Sequence, residues 1–363
     1  DSKYYWFGSK LVADKSGMSN RDAQRITIQS TNNLTYVGSW GAHALTATGV
    51  FESTQSKYRF IRIAGDDLLT ESVKWWNIGL ANSKTDENGY ESWALLSGVG
   101  RLMYNYDNRY LLTATFRADG SSKFFKNKWG FFPGVSARWN ISDEAFFKPY
   151  RKYVNMLSFR PSWGINGNAW FAEGLIYNKY SSYGYYDGVQ GIAPENLRLT
   201  QIRWEKSKSW NLGFDLHLFD DLLMFDLSVY KRYTTDLLMS GVKIPSSTGY
   251  SDVANANVGK MENRGWEFNV STKPIFKMGK FDVRLRANIA QSLNTVTEMD
   301  PTVLSSKNQQ FDNSNAKYLS RVQLGHALGG IYGFRYKGVY AYDYDHNGYF
   351  ANPERNNYID AAG

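Results

Sequence analysis

The sequence has no cysteine and only 8 prolines among its 363 residues. Without cysteine there is no disulfide scaffold, no thiolate metal site and no cysteine nucleophile. No window approaches the run of about 18 apolar residues that a membrane-spanning helix needs. The opening DSKYYWFGSK carries neither an initiating methionine nor the apolar stretch of a signal peptide, so the chain reads as a mature protein or an internal piece of a longer one. The strings G-x-S-x-G, H-E-x-x-H and G-x-x-x-x-G-K-[ST] are also missing, and the four histidines (His43, His217, His326 and His346) are scattered, so no enzyme is expected. Basic residues outnumber acidic ones by 42 to 34, but they stand singly among Asp, Glu, Ser and Tyr. A nucleic-acid footprint gathers its charge on one face or one element, so that class of partner is excluded.

What the chain has in excess is aromatic residues, 16% of the total, and alternation. From Trp210 to Leu218 every even residue is apolar and every odd one polar or small. Phe225, Leu227 and Val229 alternate with Asp226, Ser228 and Tyr230, and Trp266, Phe268 and Val270 with Glu267, Asn269 and Ser271. The same period of two recurs through Phe281–Ile289, Leu112–Phe116 and Leu157–Trp163. Side chains of a strand point to opposite faces in turn, so each of these strands has one greasy and one wet side. A soluble sandwich would share that pattern. Three features favour a membrane wall. The alternation runs for about ten residues, as a tilted bilayer-crossing strand requires. Full charges such as Arg160, Asp226 and Arg284 sit in mid-strand, and aromatics crowd the strand ends, as at Tyr104, Tyr106, Tyr110, Trp129, Phe131, Trp204 and Trp210.

Turn signals add a fourth feature, because short and long connections take turns along the chain. Tight turns are expected at 38–41, 107–108, 220–221 and 277–279, and a moderate connection at 143–152. Long loops are expected near 58–90, 166–201, 239–258, 298–325 and 343–363. Segregated loop lengths mark an up-and-down barrel whose long loops face outward from the cell. A mean hydropathy of −0.49 is compatible with it, since half of each strand and all loops are wet. The fold class expected is all-β: an antiparallel up-and-down transmembrane β-barrel, of which about twelve strands fall in residues 1–363 as one barrel segment.

Particular strings then carry a resemblance. The run RYLLTATFRADGSSKFFKNKWGFFPGVSARWNISDEAFFK (109–148) closely resembles a signature stretch of the SusC-like TonB-dependent transporters, nutrient importers of the Bacteroidota outer membrane. RWEKSKSWNLGFDLHLFDDLLMFDLSVYKRYTTDLL (203–238), NVGKMENRGWEFNV (257–270) and GHALGGIYGFRYKGVY (325–340) resemble the same family, in the same order. The resemblance implies a 22-stranded, plugged barrel, of which this chain would supply about half the wall. It also implies a SusD-like lipoprotein over the mouth and TonB acting on a plug from the periplasm. No plug motif or TonB box is found in this sequence. The function implied is TonB-dependent import of a nutrient, an oligosaccharide first and an oligopeptide second. A passive porin of about twelve strands and a soluble carbohydrate-binding protein are the alternatives from outside the family.

Ligand contact is expected on the long loops. Trp170, Tyr177, Tyr183, Tyr185 and Tyr186 lie in one of them, and Trp75 and Trp76 in another, within a short helix beginning near Asp66. Tyr and Trp present flat apolar faces with a polar handle, suited to sugar rings or peptide side chains. Packing against other loops or against a lid protein is the competing role for these rings. Arg117, Arg138, Arg160, Arg284 and Arg286 on the wet side are expected to hold the plug. No cofactor is required, but Asp343, Asp345, Asn347, Tyr349 and Glu354 match the spacing D-x-[DN]-x-[DN]-G-x5-E of a Ca²⁺ loop. Against it stand the lack of flanking helices and Pro353 before the closing Glu354.

Overall fold

The computed structural model describes residues 2–5, 16–70, 77–278, 281–308, 319–320, 322–332, 342–343, 349–352 and 357–359. Through residue 299 the strands are β1 (Ser2–Tyr5), β2 (Gly17–Trp40), β3 (His43–Leu68), β4 (Ala81–Tyr106), β5 (Tyr110–Ser121), β6 (Trp129–Asn140), β7 (Val154–Asn168), β8 (Tyr180–Tyr186), β9 (Val189–Pro194), β10 (Glu205–Leu218), β11 (Leu223–Thr235), β12 (Leu238–Lys243), β13 (Asp252–Asn257), β14 (Gly259–Thr272), β15 (Phe276–Met278), β16 (Phe281–Val283) and β17 (Arg286–Met299). Eleven of them form one antiparallel sheet in the order β1-β2-β3-β4-β5-β6-β7-β10-β11-β14-β17. Each wall strand pairs with the next wall strand in sequence. The hairpins β8–β9, β12–β13 and β15–β16 are inserted between wall strands as separate two-stranded sheets. Among the described residues no ladder joins β17 to β1.

Register turns the alternation of single strands into two uniform faces. Phe159, Phe214, Leu227, Phe268 and Ile289 are partners in one row across β7, β10, β11, β14 and β17. One residue away, the row reads Ser158, Asp215, Asp226, Asn269 and Asn288. Because the side-chain period is two, that single step changes face. The greasy face is not covered by protein: Trp210 is 57% exposed, Leu212, Phe214 and Ile289 are exposed on the same face, and Leu112 and Phe116 are exposed on β5. On the polar face Ser97 and Ser158 are almost fully enclosed, and buried apolar groups of the wall strands such as Phe132, Val296 and Met299 belong to the clusters of the long-loop end. Large apolar groups turned outward over a polar interior are the arrangement that hydrocarbon solvent demands.

The two ends of the sheet differ as the turn signals suggest. At one end the links at 41–42, 107–109 and 219–222 are tight, and those at 141–153 and 273–285 are moderate. Asp107 and Asn108 take left-handed backbone angles between Tyr106 and Tyr110, a conformation that Asp and Asn tolerate better than most residues. These turns are tied to one another: Asp107 N–H donates to the Ala42 carbonyl at 2.7 Å, Asn140 N–H to Arg109 at 2.8 Å, and Phe219 N–H to Tyr153 at 2.9 Å. At the other end the connections are long and carry the apolar cores. One cluster gathers Phe124, Phe132, Phe171, Leu175, Leu199, Ile202 and Trp204. A second gathers Leu237, Val242, Val258, Val296, Met299, Val303 and Val322, with α1 (Pro301–Asn308) supplying Val303.

The loop expected over 58–90 is mostly strand. β3 runs on to Leu68 and β4 begins at Ala81, with Arg59 opposite Tyr90 and Asp66 opposite Ser83, so no helix starts at Asp66. The helical turn described there is Ile78–Leu80. Residues 81–94 of β4 pair with β3 alone, because β5 ends at Ser121 opposite Leu95. A ribbon of β2, β3 and β4 therefore stands beyond the neighbouring strands. At ~3.3 Å per residue the extra stretch of β4 adds about 45 Å of strand. On its inner face Arg21 and Arg25 lie over the rings of Phe60 and Tyr58 at 4.2 and 4.5 Å.

Candidate functional site

The polar face of the wall carries a connected charge network. Asp215 on β10 and Asp226 on β11 are direct cross-strand partners, which for two carboxylates is repulsive. Arg160 on β7 resolves it: one guanidinium nitrogen lies 2.6 Å from Asp215 and 2.5 Å from Asp226. Ser158 Oγ donates to Asp215 at 2.7 Å, Asn269 Nδ2 to Asp226 at 3.2 Å, and Arg138 approaches Asp215 at 3.5 Å. Gly213, the partner of Arg160, leaves the space: a Cβ there would lie 3.2 Å from the guanidinium carbon. Nearer the long-loop end Arg117 Nε grips both oxygens of Asp119 at 2.8 Å, and its terminal nitrogen reaches Ser97 Oγ at 3.0 Å. The arginines expected to hold a plug are thus largely engaged within the wall. Arg117, Arg138 and Arg160 are paired there, and Arg284 lies 4.0 Å from Asp282.

At the long-loop end the expected ligand contact Trp170 and its neighbour Phe171 differ. Trp170 is 86% exposed beside Phe171, which is buried. Phe171 meets Phe124 edge-on at 5.2 Å, Phe124 stacks on Trp204 at 4.9 Å, and Trp204 meets Phe132 at 5.5 Å. That aromatic cluster roots the 169–204 connection on the rim. From this root rises the β8–β9 hairpin, whose base is pinned by Asn196: it accepts from Lys179 N–H at 2.7 Å and donates to the Tyr177 carbonyl at 3.1 Å. Tyr183, Tyr185 and Tyr186 are brought together on β8 with Tyr180, and all are exposed, Tyr186 to 86%. Trp170, Tyr177, Tyr183, Tyr185 and Tyr186 touch no other ring among the described residues. They form a set of flat, solvent-facing surfaces, Tyr183, Tyr185 and Tyr186 on the two-stranded hairpin and Trp170 and Tyr177 on the segment that leads to it.

Trp75 and Trp76 lie outside the described residues. Of the candidate Ca²⁺ ligands, Asp343 and Tyr349 are backbone partners in a short ladder, whereas Asp345, Asn347 and Glu354 lie outside the described residues. Among the described residues no group of three His, Cys, Asp or Glu is placed to hold a metal.

Sequence reasoning missed the node at the short-turn end. Glu144, in the connection after β6, accepts from Tyr110 Oη, from Trp139 Nε1 at 3.1 Å and from Arg109 at 3.2 Å. Those donors hold its carboxyl below the usual carboxylate range, the Tyr110 hydroxyl contributing most. Arg109 is also bonded to Asp107, which links the 107–109 turn to the 141–153 connection. The signal available in the sequence was one acid among aromatics, W-N-I-S-D-E-A-F-F. Asp221, in the turn after β10, is lowered in the same way by Lys273 and His217.

Comparison with known proteins follows the same architecture. The family described as TonB dependent receptor-like, beta-barrel matches residues 1–362. A TonB-dependent receptor of Formosa agariphila is 32% identical over 303 residues, 83% of this chain and 28% of its own length. TonB-dependent receptor SusC of Bacteroides thetaiotaomicron is 33% identical over 284 residues, 74% of this chain and 27% of its own length. Among solved structures, the RagAB peptide importer in its closed-closed state superposes with a TM-score of 0.75 at 19% identity, over 95% of this chain and 37% of that one. The chain therefore spans less than a third of the curated relatives it matches.

Proposed function

This chain belongs to the TonB dependent receptor-like β-barrel family of the outer membrane, and from that premise we propose that it is the wall and mouth of a SusC-type importer. The matched relatives are receptors, not enzymes. The proposed activity is TonB-dependent uptake of an oligosaccharide, with a SusD-like surface lipoprotein as partner at the long-loop end. The likeness to SusC supports this reading, and the aromatic hairpin of β8 and β9 is the observation that carries it. Stacking on a ring face suits a sugar, whose C–H faces are apolar and whose rim is polar. Trp170, Tyr177, Tyr183, Tyr185 and Tyr186 are proposed as the first contacts of the cargo.

Oligopeptide import is the second reading, because the same rings accept peptide side chains. RagAB, one of the solved structures of similar fold, is a peptide importer. Titrating the full-length protein, with and without its neighbouring lipoprotein, against panels of oligosaccharides and oligopeptides separates the two. The Tyr183→Ala, Tyr185→Ala, Tyr186→Ala triple variant is expected to weaken glycan binding by roughly 1–3 kcal/mol, less than the sum of three isolated ring contacts. Unchanged glycan affinity in that variant removes the hairpin from the binding surface.

A further inference from the structure

The greasy face holds a place where its own rule is broken. Up β10 the outward residues read Leu218, Leu216, Phe214, Leu212 and Trp210, and on β11 Leu223, Phe225, Leu227 and Val229. The next outward position on β11 is Lys231, and its partner on β14 is Arg264. Two cations facing each other across a ladder repel. Lys231 has a carboxylate, Glu262, at 3.1 Å. Arg264 is exposed and has no hydrogen-bond or ion-pair partner among the described residues. Lys208, exposed on the same face one row higher and opposite Tyr233, has no side-chain partner there either. Three cations thus surround one acid.

Their level in the membrane follows from the strand. From Leu218 at the short turn to Trp210 is nine residues, the length that carries a tilted strand across hydrocarbon. Trp163 and Trp210, 6.0 Å apart, and Trp266 mark the aromatic girdle at that height. An open groove of about 420 Å³, lined at its upper edge by Lys231 and Arg264, runs over Leu212, Val229 and Leu293 between the two tryptophans Trp210 and Trp266. An apolar trough capped by cations, two of them without a partner among the described residues, at the height where lipid headgroups begin, matches an acyl chain ending in an anion.

We propose that the outward face of β10, β11 and β14 binds one lipid of the outer leaflet that carries a phosphorylated headgroup. Arg264 grips the phosphate in a forked contact, Lys208 and Lys231 supply further charge, and the groove takes an acyl chain. Arginine suits the role because its planar fork matches phosphate geometry and it cannot lose its proton.

The test uses the full-length protein in uncharged maltoside micelles and counts bound lipid by native mass spectrometry. Monophosphoryl lipid A is the probe, with diacylglycerol and inorganic phosphate as the two comparison arms. The phosphorylated lipid is expected to be retained, and neither diacylglycerol nor phosphate alone to compete with it. Arg264→Gln should weaken retention about tenfold, the worth of one charge-assisted contact, while Arg264→Lys keeps part of it. Heat-modifiable migration on a gel reports whether each variant is a folded barrel. Should Arg264→Gln disturb folding, Lys208→Gln, with no polar partner to lose, is expected to weaken retention by a smaller factor. Equal retention of diacylglycerol, saturation by inorganic phosphate alone, or unchanged retention in the folded charge-removing variants overturns the proposal.

Discussion

The wall and the long-loop end obey opposite rules of burial. In the loops the enclosed side chains are Phe124, Phe171, Trp204 and Val303, an interior any water-soluble domain would recognise. On the wall's polar face the enclosed side chains include Ser97, Ser158 and Thr54, while Trp210, Leu212 and Phe214 stand bare on the other face. One chain carries both because it meets two solvents. Water drives apolar groups of the loops into clusters, whereas lipid offers the wall's apolar groups no reason to cluster and leaves the polar face to organise itself by charge and hydrogen bonds.

The sharpest way to break this contrast is to remove an apolar ring where water is the solvent. Phe124→Ala empties the centre of the first loop cluster and is expected to cost ~3–5 kcal/mol of that cluster's stability. The wall should survive. Limited proteolysis checks it: cleavage within 169–204 rises steeply while heat-modifiable migration of the barrel is unchanged. Loss of the barrel itself would mean that the loop cluster and the wall fold as one unit.

Next in size is the same charge placed on each side of the divide. Phe214→Arg puts a cation midway between the girdle and the short turn, at an expected cost of ~2–4 kcal/mol in lipid. Ile192→Arg puts one on the β9 hairpin, where the side chain is 78% exposed to water and the cost is expected to stay within ~0.5 kcal/mol. Denaturant midpoints of the two variants, refolded into bilayers, check the pair. Equal effects would show that the face of Phe214 does not meet hydrocarbon.

A smaller effect is expected from the polar face. Arg160→Met leaves Asp215 and Asp226 opposed without their bridge. Arg160 and Asp226 are 37% and 38% exposed, so solvent screening holds the expected loss near ~1 kcal/mol. Adding Asp226→Asn should recover most of it, and a double-mutant cycle in micelles measures that coupling. A strictly additive cycle would detach the bridge from wall stability.

These differences also explain which parts were legible in the sequence. Strands in lipid need an apolar residue at every second position, so β10, β11, β14 and β5 are readable one by one. The upper halves of β3 and β4 lack that constraint, being a ribbon in water whose Tyr58 and Phe60 turn inward under Arg25 and Arg21, and they pass for a loop. The hairpins β8–β9 and β12–β13 are hidden for the same reason. Trp170, a ring candidate, and its neighbour Phe171 have opposite fates. What decides between them is Phe124, 47 residues earlier, a contact that no local pattern encodes.

The short-turn end obeys neither rule, since Glu144 is enclosed by donors instead of by apolar groups or lipid. Its folded-state pKa is depressed, so the stability it contributes is fully present above the ordinary carboxylate value of about 4.3. It is lost as the pH falls through the lower folded-state value. Glu144→Gln keeps the shape and removes the charge. Wild type and variant should therefore differ in thermal midpoint at neutral pH and converge in acid. Asp221→Asn, which loses the contacts to Lys273 and His217, should converge in the same sense. Parallel curves for Glu144→Gln and wild type at every pH would reduce the Glu144 node to packing, and the charge-built short-turn end would no longer stand as a third regime beside the core and the lipid face.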